Sequence, residues 1–107
     1  MMIKADSLEE MHRFAKQAGG DSWLIVSQNE NYPAGFTLGD EDGAAGTTLK
    51  MEMQLLLETP EQNYYFANQY QDEELYKEAV SKLSELMEEV RSETVEPSVM
   101  EARLHQN

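Results

Sequence analysis

The stretch DEELYKEAVSKLSELMEEV, residues 72–90, decides how this chain is expected to fold. Asp72 is a good N-terminal cap, and apolar residues recur after it every three or four positions, which is typical of a helix buried on one side. The spacing of Glu73 to Lys77 adds a favourable ion pair on the helix surface. The stretch predicts a helix over about residues 73–92, with an apolar stripe formed by Leu75, Tyr76, Ala79, Val80, Leu83, Leu86, Met87 and Val90.

Upstream of this helix, the sequence predicts another helix and a hairpin. Ser7 and Glu10 have the spacing of a capping box, and the apolar pattern that follows ends at two glycines, Gly19 and Gly20. Residues 22–27 are rich in strand-forming apolar residues and form a run too short for a helix. A second strand, at about residues 33–38, would complete the hairpin.

Residues 49–57 fit two patterns. The alternation of apolar and polar residues from Leu49 to Leu55 is typical of a strand, whereas Leu49, Met53 and Leu56 also share one face of a helix. We favour a third strand, because a two-stranded hairpin is marginal without another element to pack against.

The segment that follows has the features of a helix start. Thr59 offers an N-cap hydroxyl, Pro60 occupies the first helical position, and Gln62 has the polar side chain that suits the third. We therefore predict a helix from here to about Tyr70, carrying an aromatic patch.

Together these elements predict an α+β fold with an N-terminal helix, a small antiparallel sheet of two or three strands, and two C-terminal helices. Residues 1–93 are expected to form one domain. Beyond Glu93 the periodic pattern weakens and Pro97 interrupts it. We expect residues 94–107 to be a partly ordered or frayed acidic tail.

Composition excludes several classes of function. The chain has 107 residues, with 21 Asp and Glu against 8 Lys and Arg and a formal net charge of -13. Direct binding of nucleic acid or of an anionic membrane is not expected, because phosphate contacts need clustered Lys and Arg. No Cys is present, which excludes disulfides and thiol nucleophiles, and the apolar run over residues 23–26 is far shorter than a membrane span. We expect a cytoplasmic protein.

No catalytic or metal-binding motif is complete. The sequence has no Gly-x-Ser-x-Gly elbow and no phosphate-binding glycine loop. Glu9 and His12 have the spacing used in di-metal bundles, but such sites need a second copy and two further carboxylates. Asp40 begins a run that resembles a calcium loop, yet its sixth and twelfth positions hold Ala45 and Met51 instead of Gly and Glu. We therefore predict no enzyme activity, no metal and no cofactor.

The negative charge is regional. Residues 1–20 are neutral overall, whereas residues 21–60 carry -6 and residues 61–107 carry -7. A solvated surface accounts for such a charge, and a basic protein partner is the alternative. Tyrosines beside the acids have two interpretations too, as core residues or as contact residues for a partner. The candidate partner-binding residues are Asp40, Glu41, Asp42, Tyr70, Asp72, Glu73, Glu74 and Tyr76.

The predicted order of elements, with Tyr70–Tyr76 as an acidic junction between two helices, resembles small acidic phage-encoded anti-CRISPR proteins that block Cas9. The resemblance implies a noncatalytic inhibitor whose acidic face takes the place of DNA on the arginines that read the PAM duplex. It assigns this role to Asp72, Glu73 and Glu74. The partner implied is the basic surface of a nucleic-acid-handling protein.

A second hypothesis comes from the helix at residues 73–92. If its apolar stripe were exposed, the chain would pair with a copy of itself as a homodimer, or act as a phage assembly chaperone by binding a partner helix. The two hypotheses differ in whether Ala79, Leu83 and Leu86 are buried within one chain.

Overall fold

The computed structural model describes residues 2–27, 37–40 and 49–105, with backbone only for residues 37–40 and 49–50. Within these ranges the chain forms six strands and three helices, joined in part by a short 3-10 turn at Gly19–Asp21. In chain order they are β1 (Met2–Lys4), α1 (Leu8–Ala18), β2 (Trp23–Ser27), β3 (Thr37–Asp40), β4 (Leu49–Glu58), β5 (Asn63–Tyr70), α2 (Glu73–Glu89), β6 (Arg91–Val95) and α3 (Pro97–His105).

The strands form one mixed sheet in the order β1-β5-β4-β2-β6. The long central strand β4 pairs antiparallel with β5 from Met51 to Glu58. Its other edge is shared end to end by β2 and β3, which are both antiparallel to it. The outer strands β1 and β6 run parallel to β5 and β2, respectively.

Helices α1 and α2 cover one face of the sheet. Side chains alternate across a strand, so Leu24 and Val26 of β2 face these helices together with Leu55 of β4. All three are fully buried, and burying each such side chain contributes roughly 1.5–3 kcal/mol of transfer free energy. The helices add their own buried residues: Leu8, Met11 and Ala15 from α1, and Tyr76, Ala79, Leu83 and Leu86 from α2.

Helix α3 covers part of the opposite face. Met100 is fully buried there against Ile25 of β2 and Leu56 of β4. Arg103 on the same helix lies 3.6 Å from the carboxylate of Glu93 on β6. The segment after residue 93, expected to be a partly ordered or frayed acidic tail, thus contains the end of a paired strand and a helix with a buried anchor.

The structure confirms the α+β class and the two helices predicted with the most regular apolar patterns. The Ser7 hydroxyl caps α1 by accepting from the Glu10 N–H at 3.1 Å, as the capping-box spacing predicts. Helix α2 ends at Glu89 instead of residue 92, because Arg91 begins β6. The preference for a strand at residues 49–57 is also confirmed. None of the helices in the described ranges is long and apolar enough to cross a membrane.

The prediction of a helix from Thr59 to Tyr70 is wrong, since Asn63–Tyr70 is strand β5. Thr59 caps a tight turn instead of a helix, because its hydroxyl accepts from the Gln62 N–H at 3.0 Å while its own N–H donates to the Gln62 carbonyl at 3.1 Å. This turn joins β4 to β5, and the long antiparallel pairing between them overrides the local helix-start residues.

The predicted sheet of two or three strands is too small, and its connections differ. The hairpin between β2 and β3 is wrong, because in the described part of the chain β3 pairs with β4. Strand β6 was not predicted, and it pairs in parallel with β2, which lies 68 residues earlier in the sequence. Residues 28–36, which include the start of the strand predicted at residues 33–38, lie outside the described residues.

Candidate functional site

The acidic run at the start of α2 has a structural role. The Asp72 carboxylate accepts from the Glu74 N–H at 2.8 Å, and the Asp72 carbonyl accepts from the Tyr76 N–H at 3.0 Å. Glu73 and Glu74 lie in the first turn, where the helix dipole favours negative charge. Helix capping therefore accounts for the position of these acids without any partner.

One nearby base offsets part of this charge. Lys77 Nζ lies 3.7 Å from a carboxylate oxygen of Glu73 and 4.0 Å from one of Glu74. All three side chains are well exposed, so water and salt screen the pairs strongly. The run remains negative, because one lysine faces two glutamates and the capping aspartate.

A groove lies between the N-terminal ends of the two long helices and the end of β5. Its cavity volume is about 660 Å³. The apolar part of the wall comes from Leu8 of α1, Phe66 of β5, and Leu75 and Ala79 of α2. We call this feature the α1–β5–α2 groove. Four carboxylates from two stretches of the chain surround it: Asp6, Glu9, Asp72 and Glu78.

Lys82 is the one basic side chain among the described residues that line the groove. Its Nζ donates to Glu9 Oε1 at 2.6 Å, joining α2 to α1. This hydrogen bond and the attraction between the charges lower the pKa of the Glu9 carboxyl and raise the pKa of Lys82. Asp6 and Asp72 have no base among the ion pairs of the described residues, whereas the charge of Glu78 also raises the pKa of Lys82.

The two candidate tyrosines have different positions. Tyr70 is half-buried and lines the groove. Tyr76 is only 6% exposed, and its ring meets that of Tyr70 edge to face at 5.8 Å between centroids. Burial, followed by the Tyr70 hydroxyl, raises the pKa of Tyr76 to about 12. Tyr76 is thus a core residue that supports Tyr70, and its assignment as a contact residue is corrected.

The second acidic cluster is described only at its first residue. Asp40 ends β3 opposite Leu49, and Met51, two residues further along β4, lies opposite Tyr70 of β5. The register therefore places the Asp40 backbone at the same end of the sheet as Tyr70, two strands or about 10 Å away. Glu41 and Asp42 lie outside the described residues.

Three acids of the groove were missed by the sequence prediction. Glu78 shares a helix face with Leu75 and Lys82, a spacing that the sequence does display. No sequence pattern places Asp6 and Glu9 at this site, because they reach the groove only through the parallel pairing of β1 with β5.

Glu9 and His12, whose spacing resembles that of di-metal sites, are each engaged with α2. His12 contacts the Glu89 carboxylate, and Lys16 lies 4.0 Å from the same residue. No group of three or more His, Asp or Glu side chains in the described ranges is arranged to hold a metal ion.

No protein-family model matches this chain, and neither a curated protein nor a solved structure is similar to it.

Proposed function

We propose that this chain is a noncatalytic acidic binding protein that occupies a basic surface of another protein through the α1–β5–α2 groove. One observation supports the proposal above the others. Asp6, Glu9, Asp72 and Glu78 surround a groove with a partly apolar wall, and Lys82 is the one basic side chain among the described residues that line it.

Such a groove suits a basic partner for two physical reasons. Its carboxylates raise the local concentration of cationic groups and speed their association. Apolar surface is also exposed beside the charge, for example at Leu75, which is 53% exposed. Covering this surface with a partner is favourable because it removes apolar groups from water. Long Lys and Arg side chains match both features, because their stems are apolar and their ends are charged.

A nucleic-acid-handling protein has the kind of basic surface that this groove fits. In this proposal the chain acts as an inhibitor, and its carboxylates take the place of phosphates and block the surface by occupying it. A CRISPR nuclease is one such target, and this choice now depends on the acidic run Asp72–Glu74 alone, because β5 stands where the resemblance implied the first helix of the junction.

We do not propose the self-associating alternative. It requires the apolar stripe of α2 to be exposed in the monomer, and Ala79, Leu83 and Leu86 are 6%, 1% and 1% exposed. They pack against the sheet and α1 within one chain.

The proposal is tested by affinity capture from a lysate of the host, with the purified chain as bait. Partners that bind nucleic acid are expected to be retained at about 50 mM salt and released at about 500 mM, because exposed charges are screened over a few ångströms there. Competitor DNA should release the same proteins. Capture that is unchanged over this salt range would contradict the proposal.

A matched pair of double variants separates the groove from net charge alone. Glu74→Lys with Glu78→Lys reverses the charge of Glu78, which lines the groove, and of Glu74 in the acidic run next to it, and should abolish the DNA-sensitive capture. Glu85→Lys with Glu88→Lys makes the same change in net charge further along α2, about 15 Å along the helix axis. This control should retain most of the binding. Equal losses in both would show that net charge, and not the groove, attracts the partner.

A further inference from the structure

One edge of β5 is covered for only part of its length. Strand β1 pairs with Asn63–Tyr65 and no further. Ala5 adds one more bond, since its N–H donates to the Tyr65 carbonyl at 2.7 Å, and the chain then turns away to begin α1 at Leu8. In the described part of the chain, nothing pairs with this edge from residue 66 to residue 70.

The backbone groups left on this edge can be identified. A strand directs the N–H and C=O groups of successive residues to opposite edges. The Tyr65 carbonyl points toward β1, so Ala67 and Gln69 also direct their backbone groups outward. Two donors and two acceptors therefore lie along this edge without a strand partner among the described residues.

The open space of the α1–β5–α2 groove lies along the same edge. Asn68, Gln69 and Gln71 line it on the β5 side, and Asp6 and Ser7 line it where the chain leaves the line of β1. An extended segment that continued the line of β1 would thus enter the groove. An unpaired strand edge beside a groove for side chains is the arrangement used in binding by strand addition.

We infer that an extended basic segment of the partner protein binds here as an added strand on β5. The inference rests on the proposed function and specifies its partner. Hydrogen bonds to Ala67 and Gln69 would hold the segment in place. Its alternate side chains would point to the helix-covered side of the sheet, where Phe66 forms apolar wall and Asp72 and Glu78 carry charge. Charge complementarity then requires Lys or Arg at every second position.

The probe is a seven-residue peptide, Thr-Arg-Thr-Arg-Thr-Arg-Thr, with blocked ends. Binding is measured by fluorescence anisotropy at about 50 mM salt, where the charges act over more than 10 Å. Two control peptides carry backbone N-methyl groups, one on its arginines and the other on its threonines. Both keep every side chain and charge, but each loses the N–H groups on one edge of the strand.

Strand addition predicts that only one of the two methylated peptides loses binding. The affected peptide should bind at least about tenfold more weakly, and the other should match the parent peptide within about twofold. Equal, salt-sensitive binding by both methylated peptides would overturn strand addition while leaving the proposed acidic function in place. Absence of binding by all three would also overturn strand addition, and the lysate capture would then decide the proposed function separately.

A substitution in the protein tests the same edge. Gln69→Pro removes an outward N–H that the sheet does not use, a position where proline is tolerated in edge strands. Gln69→Pro should weaken binding of the parent peptide at least about tenfold, whereas Gln69→Ala should change its binding less than about twofold. Circular dichroism establishes whether each variant folds. If Gln69→Pro does not fold, the methylated peptides test strand addition on the wild-type protein.

A second copy of this chain is the competing occupant of the edge. Analytical ultracentrifugation of the whole protein distinguishes it from a partner segment. A monomer is expected in the absence of peptide. A dimer that Gln69→Pro dissociates would overturn the inference and assign the edge to self-association.

Discussion

Lys82 of α2 donates a hydrogen bond to Glu9 of α1, with 2.6 Å between Nζ and Oε1. The contact neutralises one of the four carboxylates of the groove and ties the two helices together where a partner would enter. It therefore divides the groove into one paired carboxylate, two that have no base among the described ion pairs, and Glu78, whose charge also raises the pKa of Lys82.

The titration of Glu9 should depend on Lys82. Lys82→Gln removes the charge that stabilises ionised Glu9, so the pKa of the Glu9 carboxyl should rise from its lowered value toward that of an ordinary glutamate. Carbon-detected NMR titration of the side-chain carboxyl measures it. Lys77→Gln makes the same chemical change next to Glu73 and should leave the Glu9 titration where it is in the wild type.

Stability at high pH should depend on Tyr76. Because its pKa is raised to about 12 from 10.0, the unfolded chain loses this proton first as the pH increases. The free energy of unfolding should therefore be unaffected by Tyr76 below about pH 10 and fall between about pH 10 and 12, by up to roughly 2 kcal/mol. Urea unfolding measured across this pH range should show that the free energy of unfolding falls less steeply with pH in Tyr76→Phe than in the wild type. Parallel declines in the two proteins would assign the effect to other groups.

The docking of α3 can be tested at its buried methionine. Met100→Ala should lower the free energy of unfolding by about 2–4 kcal/mol, because it removes a fully buried side chain between Ile25 and Leu56. The neighbouring Val99 is 42% exposed, and Val99→Ala should change stability by less than about 0.5 kcal/mol. Denaturant unfolding measures both. If Met100→Ala were as stable as the wild type, α3 would contribute little to stability, as expected for the frayed tail predicted from the sequence.

Two buried serines should respond oppositely to alanine. The Ser27 hydroxyl is 0% exposed and has no hydrogen-bond partner among the described residues, so Ser27→Ala should leave stability unchanged or raise it by about 1 kcal/mol. The Ser22 hydroxyl donates to the Gly19 carbonyl at 3.3 Å, and Ser22→Ala should cost about 1 kcal/mol. Thermal unfolding of both variants compares them, and a loss in Ser27→Ala would reveal a partner for its hydroxyl.

Local sequence is sufficient to predict the two long helices, α1 and α2. The Ser7 cap, the Asp72 cap and the apolar stripe of α2 act within one or two turns of helix, so they can be identified without knowing the rest of the fold. The alternation from Leu49 to Leu55 favoured β4 without determining it, because the same stretch also fits one face of a helix.

Strands β5 and β6 depend on pairing with distant parts of the chain. The residues of the turn at Thr59–Gln62 are typical of a helix start. They connect two strands instead, because β5 pairs with β4 along the whole length of β5. Arg91–Val95 has little apolar periodicity of its own, and it is a strand because β2 offers it a parallel partner from a distant part of the chain.

The residues of the groove follow partly from local sequence and partly from contacts between distant parts of the chain. Local sequence made Tyr70, Asp72 and the start of α2 a candidate site. The parallel pairing of β1 with β5 added Asp6 and Glu9 to it. Tyr76 does not belong to it, because the side chain is buried in the core on the inner face of α2. Contacts between residues far apart in sequence are set by how strands and helices pack, and short-range patterns carry no record of that packing.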